Sequence, residues 1–232
     1  MIDLVDFHSH ILPGADHGSA SVSESLEQIK LASARGIKRI IATPHFYPDS
    51  HSVDSFIKQR DSAYSDLLAA LPSDSPRIVL GAEVLVCDGI ENMPDLARLF
   101  IQGTRTLLLE MSSPILRHTS VNSVSRLVSS GVDVVLAHAE RYLPSGINQL
   151  IEAGARIQLN ADSLKPLFIN KNIKNWLEQG KVVALGSDIH GPNQRAYRNF
   201  EIAISRLSGY IGYIKQESDL IWNMAEGCGL NS

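Results

Sequence analysis

Short apolar segments alternate along the chain with longer stretches in which apolar residues recur at helical spacing. The apolar segments are four to six residues long, a length typical of buried strands. Seven strands are predicted, at Leu4–Phe7, Ile37–Ala42, Arg77–Leu80, Arg105–Leu109, Val132–Ala137, Ala155–Leu159 and Lys181–Leu185. Helices are predicted between and after them, at Ser21–Gly36, Val53–Ala70, Glu91–Ile101, Ser120–Ser130, Ser145–Ala153, Leu164–Gln179, Gln194–Leu207 and Lys215–Gly227.

Repeated strand–helix units indicate an α/β protein with a parallel sheet that is covered by helices. Seven strands favour a closed or nearly closed β/α barrel over an open, doubly wound sheet. No glycine-rich dinucleotide or phosphate-loop fingerprint follows any predicted strand. No linker, low-complexity segment or block of charge divides the chain, so we expect residues 1–232 to form a single domain.

Composition narrows the range of functions. The 232 residues are 44% hydrophobic and 20% charged, as in an ordinary globular protein. The net charge of −4 provides no basic surface for nucleic acid, and no apolar run approaches the roughly 20 residues of a membrane span. The N-terminus lacks the features of a secretory signal, and two cysteines are too few for a disulfide framework. We therefore expect a cytoplasmic protein that is not membrane-embedded and binds no nucleic acid.

The first predicted strand leads into a group of histidines. Side chains two residues apart on a strand point the same way, so His8 and His10 project together and supply half of a metal site. Prolines and glycines in residues 11–18 predict a sharp turn that returns His17 toward the same point. A histidine-rich turn without a ligand role is the alternative. Asp16 is interpreted as a residue of this turn, with support of a neighbouring metal ligand as the alternative.

Metal-binding residue types follow the other predicted strands as well. The complete set of candidate ligands is His8, His10, His17, His45, Glu83, Glu110, His138, Asp188 and His190. In a β/α barrel the carboxyl ends of all strands open onto one face, where active sites lie. Six of the eight histidines fall at these ends or in the first loop. Core packing does not explain this placement, because a structural histidine has no reason to prefer one end of a strand.

The size of this set predicts more than one metal ion. Nine ligands exceed the roughly four to six that one ion takes, so a cluster with a bridging carboxylate is expected. Multi-metal sites of this kind suit phosphoryl transfer. Imidazole and carboxylate donors without thiolate favour manganese, iron or zinc over calcium or magnesium. A cysteine-based phosphatase is disfavoured, because Met93 and not an arginine lies six residues after Cys87, and Cys228 is followed by only four residues.

Two arginines are candidates for binding a phosphate group. Arg141 follows His138 by three residues, and Arg195 follows His190 by five. Both are predicted at the rim of the ligand face, where a guanidinium can bind two phosphate oxygens at once. A pair of solvated surface arginines is the alternative.

Six motifs, in order along the chain, resemble those of the polymerase-and-histidinol-phosphatase (PHP) superfamily. Within it the chain is most similar to the bacterial PHP-type protein-tyrosine phosphatases of capsule and exopolysaccharide operons. The motifs are HSHILPGxDxG at residues 8–18, IIATPH at 40–45, GxE at 81–83, LLLEM at 107–111, LAHxERY at 136–142 and SDxH at 187–190. They span most of the chain, which makes the likeness specific.

The resemblance implies a distorted (β/α)7, TIM-like barrel with three divalent metal ions, of which manganese is preferred. It implies one ion held by His8, His10, Glu83 and Asp188, a second by Glu83, Glu110 and His138, and a third by His17, His45 and His190. Arg141 and Arg195 match the phosphate-binding arginines of the family. Two positions depart from the family pattern: His17 replaces an aspartate and Ala139 replaces a proline.

The implied activity is hydrolysis of phosphotyrosine in a protein, with a bacterial tyrosine autokinase as the expected partner. Two alternatives remain open from the residues alone. The same site would suit a small phosphomonoester such as histidinol phosphate, and a phosphodiester of nucleic acid is disfavoured by the acidic charge. A non-catalytic metal-binding module is the third hypothesis, which predicts bound metal without turnover.

Overall fold

The computed structural model describes residues 3–113, 117–164 and 169–229. Its strands are β1 Val5–Ser9, β2 Arg39–Ala42, β3 His45–Phe46, β4 Arg77–Leu80, β5 Glu83–Leu85, β6 Thr106–Glu110, β7 Asp133–Leu136, β8 Arg156–Asn160 and β9 Val182–Gly186. Its helices are α1 Val22–Ala34, α2 Val53–Ala70, α3 His118–Ser129, α4 Pro144–Glu152, α5 Lys171–Glu178, α6 Gln194–Arg206 and α7 Ile211–Gly229. Of the helices within these ranges, none combines the length and the apolar character needed to cross a bilayer.

The strands form a closed ring of parallel neighbours. One sheet has the order β1-β2-β4, and the other has the order β3-β5-β6-β7-β8-β9. The ring closes where the amide of Asp188 donates to the carbonyl of His8 at 2.8 Å and the amide of His10 donates to Ile189 at 3.2 Å. The predicted barrel is therefore confirmed.

Two of the seven predicted strands are each followed by a second, short strand that was not predicted. Thr43 and Pro44 separate β2 from β3, and Gly81 and Ala82 separate β4 from β5. Pro44 has no N–H to donate, so the sheet ladder cannot continue unchanged through it. β2 pairs with β4 and β3 pairs with β5, so both breaks occur at the same level of the barrel. His45 and Glu83 are thereby brought opposite each other in register.

Serine side chains cap the first two helices. The Ser21 hydroxyl accepts the Glu24 N–H at 3.3 Å at the start of α1. The Ser52 hydroxyl accepts the Ser55 N–H at 3.2 Å at the start of α2, and α2 has the bounds that its pattern predicts.

Two predicted helices differ from the structure. The helix expected at Glu91–Ile101 is wrong, because two short 3₁₀ turns, Ile90–Asn92 and Leu96–Leu99, occupy this segment. Pro94 lacks the N–H that a continuous helix needs, and Asp95 has a left-handed φ of 60°. The helix expected at Leu164–Gln179 begins only at Lys171, and part of its predicted start, residues 165–168, lies outside the described residues.

The barrel interior is apolar and is closed at its amino-terminal end by α7. Phe7, Val135 and Val183 point into the barrel, where they join the cluster that also contains Trp222 of α7. Trp222 is 1% exposed, and the guanidinium of Arg77 lies 5.7 Å from the centre of its ring. With this end sealed, the opposite end of the barrel is free to carry the polar residues that follow the strands.

Candidate metal centre

The structure brings the predicted ligands together at the carboxyl-terminal end of the barrel. Six strands, β1, β3, β5, β6, β7 and β9, carry at least one of them or are followed directly by one, whereas β2, β4 and β8 carry none. His8 and His10 come from β1, His45 from β3, Glu83 from β5, Glu110 from β6, His138 follows β7, and Asp188 and His190 follow β9.

Glu83 is the centre of this cluster and is fully buried. Its Oε2 atom lies 3.0 Å from Nε2 of His8, 3.3 Å from Nε2 of His10 and 3.0 Å from Nδ1 of His45. Its Oε1 atom lies 2.8 Å from Nε2 of His138. One carboxylate therefore faces four imidazoles, as expected of a residue that bridges two cations.

Asp188 and Glu110 lie on either side of this centre. Oδ1 of Asp188 is 3.4 Å from Nε2 of His10 and 3.7 Å from Nε2 of His8. Oε2 of Glu110 is 3.7 Å from Nδ1 of His45. The carboxylates thus alternate with imidazoles across the whole cluster.

Within the described residues, three groups of donor atoms are close enough to hold an ion. They are His10–His45–His190, His8–His10–Asp188 and His45–Glu83–Glu110, with the donor atoms of each group within 4.8 Å of one another. His17 belongs to none of these groups, although its ring centre lies 4.7 Å from those of His45 and His190. The sequence resemblance places His17 where this geometry places His10.

The chemistry of the donors fits a divalent cation. Nδ1 of His45, Oε2 of Glu83 and Nε2 of His190 are buried without a hydrogen-bond partner, although the first two lie only 3.0 Å apart. A buried polar atom without a partner costs roughly 1–3 kcal/mol. A cation coordinated by these atoms would remove that cost, because each presents a lone pair to the same space.

Burial shifts the pKa values of several residues in the cluster. It lowers the pKa of His45 to about 4 and also lowers the pKa of His138. It raises the pKa of Glu110 to about 7, and the negative charge of Glu83 contributes to this increase. Burial opposes the charge of Glu83 too, but the neighbouring imidazoles outweigh it and hold its pKa well below the usual range. An ionised carboxylate among neutral imidazoles is the state that binds metal.

His8 and His10 behave differently. Burial disfavours their protonated forms, but nearby carboxylates outweigh burial and raise both pKa values. For His8 the main opposing group is Glu83, and for His10 it is Asp16. A metal ion at these residues would compete with the protons, which would couple its binding to pH.

Asp16 is more than the turn residue that the sequence suggested. Its Oδ1 accepts the Gly18 N–H at 2.8 Å, which is the expected turn contact. Its Oδ2 lies 2.6 Å from Nδ1 of His10 and accepts the His45 N–H at 3.0 Å. A carboxylate behind a histidine fixes which ring nitrogen faces the metal. Three further residues that sequence reasoning missed, Tyr142, Gln158 and Asn160, also contact the cluster.

Two cluster residues have left-handed backbone conformations that are uncommon outside glycine. The φ angles of His138 and Asp188 are 33° and 49°. Such conformations cost about 1–3 kcal/mol and persist where the surroundings over-determine them. They turn both side chains toward the cluster as soon as each strand ends.

Both candidate arginines border one cavity beside the cluster. Arg141 and Arg195 line a space of about 310 Å³ together with Asp188 and His190. Both arginines are exposed, and Nη2 of Arg141 donates to Oδ2 of Asp188 at 2.6 Å. The cavity therefore joins positive charge to the imidazole–carboxylate cluster.

Family comparison agrees with these observations. Residues 4–213 match the model of the family described as capsular polysaccharide synthesis, CpsB/CapC. The chain belongs to the CpsB/CapC family. The resemblance predicted from the six sequence motifs is thereby confirmed.

Curated relatives of this CpsB/CapC chain carry phosphatase names. The tyrosine-protein phosphatase YwqE of Bacillus subtilis is 28% identical over 211 residues, which cover 85% of this chain and 82% of YwqE. The tyrosine-protein phosphatase CpsB of Streptococcus pneumoniae is 26% identical over 216 residues, which cover 83% of this chain and 85% of CpsB.

Solved structures support the fold. One from the crystallographic study of YwqE and CpsB, described there as unique metal-dependent tyrosine phosphatases, matches with a TM-score of 0.77 at 24% identity. The match covers 96% of this chain and 94% of the other. An organophosphorus hydrolase variant from Deinococcus radiodurans has a TM-score of 0.50 at 11% identity over 94% of this chain.

Proposed function

We propose that this protein is a metal-dependent tyrosine-protein phosphatase that acts in capsular polysaccharide synthesis. The observation that carries the proposal is the cavity in which Arg141 and Arg195 border Asp188 and His190 of the cluster. Arginine binds phosphate oxygens in pairs, and a carboxylate–imidazole cluster binds divalent cations. Family membership supports the same activity, because the curated relatives are named tyrosine-protein phosphatases.

The cluster fits a set of three divalent ions. Its nitrogen and oxygen donors favour manganese, with iron or zinc as alternatives. We assign all nine residues to the site, and Glu83 would be the member shared between ions, because both of its oxygens face imidazoles. His17 is the outermost member, since its side chain is exposed and its ring packs against His45 and His190.

Residues of the chain bind and orient the phosphoryl group in this mechanism. Bound divalent ions supply a nucleophilic water at neutral pH and positive charge near phosphorus. Arg141 and Arg195 bind the phosphoryl oxygens and offset the negative charge that develops on them. The leaving group is the phenolate of tyrosine, whose parent pKa of about 10 makes it a good leaving group with little help from an acid. Cysteine has no part in the reaction.

The proposed substrate is a phosphotyrosyl protein of the cytoplasm, in particular a bacterial tyrosine autokinase. The family description, capsular polysaccharide synthesis, supports this assignment. The cavity bordered by Arg141 and Arg195 supports it as well, because an exposed phosphotyrosine on a flexible segment can reach two exposed arginines.

A metal-resolved assay tests the proposal. The protein is stripped with a chelator and restored in turn with manganese, iron, zinc and magnesium. Hydrolysis of p-nitrophenyl phosphate, a phosphotyrosyl peptide, a phosphoseryl peptide and histidinol phosphate is then measured. We expect no activity after stripping, and restoration by manganese with preference for the phosphotyrosyl peptide. Preference for histidinol phosphate would indicate a small-molecule phosphatase, and bound metal without turnover would indicate a binding module.

A further inference from the structure

Strand β8 contributes no residue to the nine candidate ligands, yet it directs two amide side chains toward them. Gln158 and Asn160 are two residues apart on β8 and therefore project to the same side. They are 0% and 1% exposed. A buried amide has four hydrogen-bonding positions to satisfy, so its partners show what it does.

The oxygen of Gln158 fixes the hydrogen position on His8. Oε1 accepts the backbone N–H of His138 at 2.8 Å and lies 3.2 Å from Nδ1 of His8. A backbone amide only donates, so the atom that faces it must be the oxygen of the glutamine. Nδ1 of His8 must then carry the hydrogen. The other ring nitrogen, Nε2, is left with its lone pair directed at Glu83, 3.0 Å away.

The nitrogen of Gln158 continues the same chain of hydrogen bonds. Nε2 of Gln158 donates to Oδ1 of Asn160 at 2.9 Å, which orients the second amide. Nδ2 of Asn160 then donates to Oδ2 of Asp188 at 2.8 Å. Oδ1 of Asp188 is left facing His8 and His10. Every donor and acceptor along the chain has one consistent direction.

We propose that Gln158 and Asn160, the amide pair, are positioning residues that hold His8 and Asp188 in their metal-binding orientations. The proposal rests on the proposed function, because it assumes that the cluster binds metal. The amide pair bonds the backbone N–H of His138 after β7, the ring of His8 on β1 and the carboxylate of Asp188 after β9. Hydrogen bonds of this kind typically change metal affinity by about 10- to 100-fold when removed.

Close packing around the amide pair supports this role. A Cβ atom on Gly186 would lie 2.6 Å from Cβ of His8 and 2.7 Å from Nε2 of Gln158. Both distances are too short for any side chain, so β9 approaches His8 and Gln158 as closely as a glycine backbone allows. The orientation of the amide pair is therefore restricted by packing as well as by hydrogen bonds.

The test compares Gln158→Leu with a matched control, Gln28→Leu. Gln28 is also a fully buried glutamine, but its side-chain atoms have no hydrogen-bond partner in the structure. Manganese affinity is measured by titration calorimetry on the metal-stripped full chain. We expect Gln158→Leu to bind at least one manganese ion about 10- to 100-fold more weakly, and Gln28→Leu to bind like the wild type.

A second measurement reports directly which ring nitrogen of His8 carries the hydrogen. Long-range ¹H–¹⁵N spectra of the histidine rings are recorded on the zinc-loaded protein, because zinc is diamagnetic. We expect His8 to have its hydrogen on Nδ1 in the wild type, and this signal to be lost or shifted in Gln158→Leu. Gln158→Glu keeps an oxygen for both donors and should keep the His8 signal. Asn160→Leu should weaken metal binding while leaving the His8 signal unchanged.

The manganese affinity and the His8 signal together test this proposal separately from the proposed function. Unchanged manganese affinity together with an unchanged His8 signal in Gln158→Leu would overturn the role of the amide pair. Should Gln158→Leu fail to fold, as judged by circular dichroism, Asn160→Leu supplies the test, and wild-type manganese affinity in Asn160→Leu would then overturn the role of the amide pair. None of these measurements uses a phosphate ester, so a failure to hydrolyse phosphotyrosine would remove the proposed function alone.

Discussion

Arg141 donates a hydrogen bond from Nη2 to Oδ2 of Asp188, at 2.6 Å. This contact connects a candidate phosphate-binding arginine to a candidate metal ligand. Asn160 donates to the same oxygen at 2.8 Å, so Asp188 keeps one hydrogen bond when the guanidinium is removed. Loss of Arg141 can therefore be separated from loss of metal.

Arg141→Ala should lower kcat/KM for a phosphotyrosyl peptide by about 100-fold, because a charged donor to the transition state is lost. Metal content, measured by mass spectrometry of the eluted protein, should stay at the wild-type value. Arg141→Lys should recover only part of the rate, since lysine keeps the charge without the two-pronged geometry.

Arg126→Ala is the matched control for Arg141. Arg126 is also exposed and also bonds an acidic residue, but its partner is Glu91, outside the cluster. Wild-type kcat/KM is expected for this variant. Equal rates for Arg141→Ala and Arg126→Ala would remove Arg141 from the mechanism.

Tyr142→Phe should weaken metal binding by about 10-fold. The hydroxyl of Tyr142 lies 3.2 Å from Nδ1 of His138 and accepts the Met111 N–H at 3.2 Å. Its removal leaves the outer nitrogen of His138 without a partner and should lower the free energy of unfolding by about 1 kcal/mol. Calorimetric titration with manganese and urea unfolding measure the two effects.

Tyr213→Phe removes a tyrosine hydroxyl elsewhere and serves as its control. That hydroxyl donates to the carbonyl of Gly180 at the surface, away from the cluster. Its loss should leave manganese affinity unchanged. A similar loss of affinity in both variants would contradict a specific role for Tyr142.

Metal binding should strengthen as pH rises from 6 toward 8. In the metal-free protein the pKa of Glu110 is raised to about 7, so the carboxyl must lose a proton before it can bind a cation. Below pH 7 each ion that occupies Glu110 releases this proton, and above pH 7 the proton is already absent. Calorimetry in buffers of different ionisation enthalpy counts the protons released. A carbon-13 titration of Glu110 with a midpoint near the usual value of about 4.3 would contradict the prediction.

Trp222→Ala should lower the free energy of unfolding by about 3–5 kcal/mol, because it opens a cavity in the floor of the barrel. Met224→Ala on the same helix is the control. Met224 is 52% exposed, and its truncation should change stability by less than about 0.5 kcal/mol. Urea unfolding measures both, and similar values for the two variants would show that α7 does not seal the barrel.

The barrel and its ligand face were predictable because each short apolar segment ends abruptly. The histidine or carboxylate residues that follow these segments are therefore easy to recognise in the sequence. His45 and Glu83 each follow an apolar run at the point where a parallel strand ends. Parallel topology then places such residues on one face, with no further information needed.

The division of two strands was not predictable from apolar patterning. The segments around Pro44 and Gly81 contain apolar residues on both sides, so each pair looks like one strand with a trailing loop. Only the pairing of β3 with β5 shows that the chain resumes a strand. The helix expected at Glu91–Ile101 was wrong for a local reason, the left-handed backbone of Asp95 after Pro94.

The supporting residues of the site escaped sequence reasoning because their types are common in every protein. Gln158 lies 150 residues from His8 along the chain, and nothing local marks it as a partner. Asn160 was recognised as the residue that ends a strand, but it is neither a histidine nor a carboxylate and so was not counted among the candidate ligands. Tyr142 was visible only as part of a motif. Their roles depend on distances that appear once the ring has closed.

The hydrogen bond between Asp188 and His8 that closes the ring also sets the order in which the protein can mature. The candidate ligand His8 is synthesised well before its partners Asp188 and His190, which follow the last strand of the ring. The nascent polypeptide therefore exposes histidines for most of its synthesis without the pocket that gathers them. A metal ion held jointly by His8 and Asp188 would therefore bind only after the segment that follows β9 has been made.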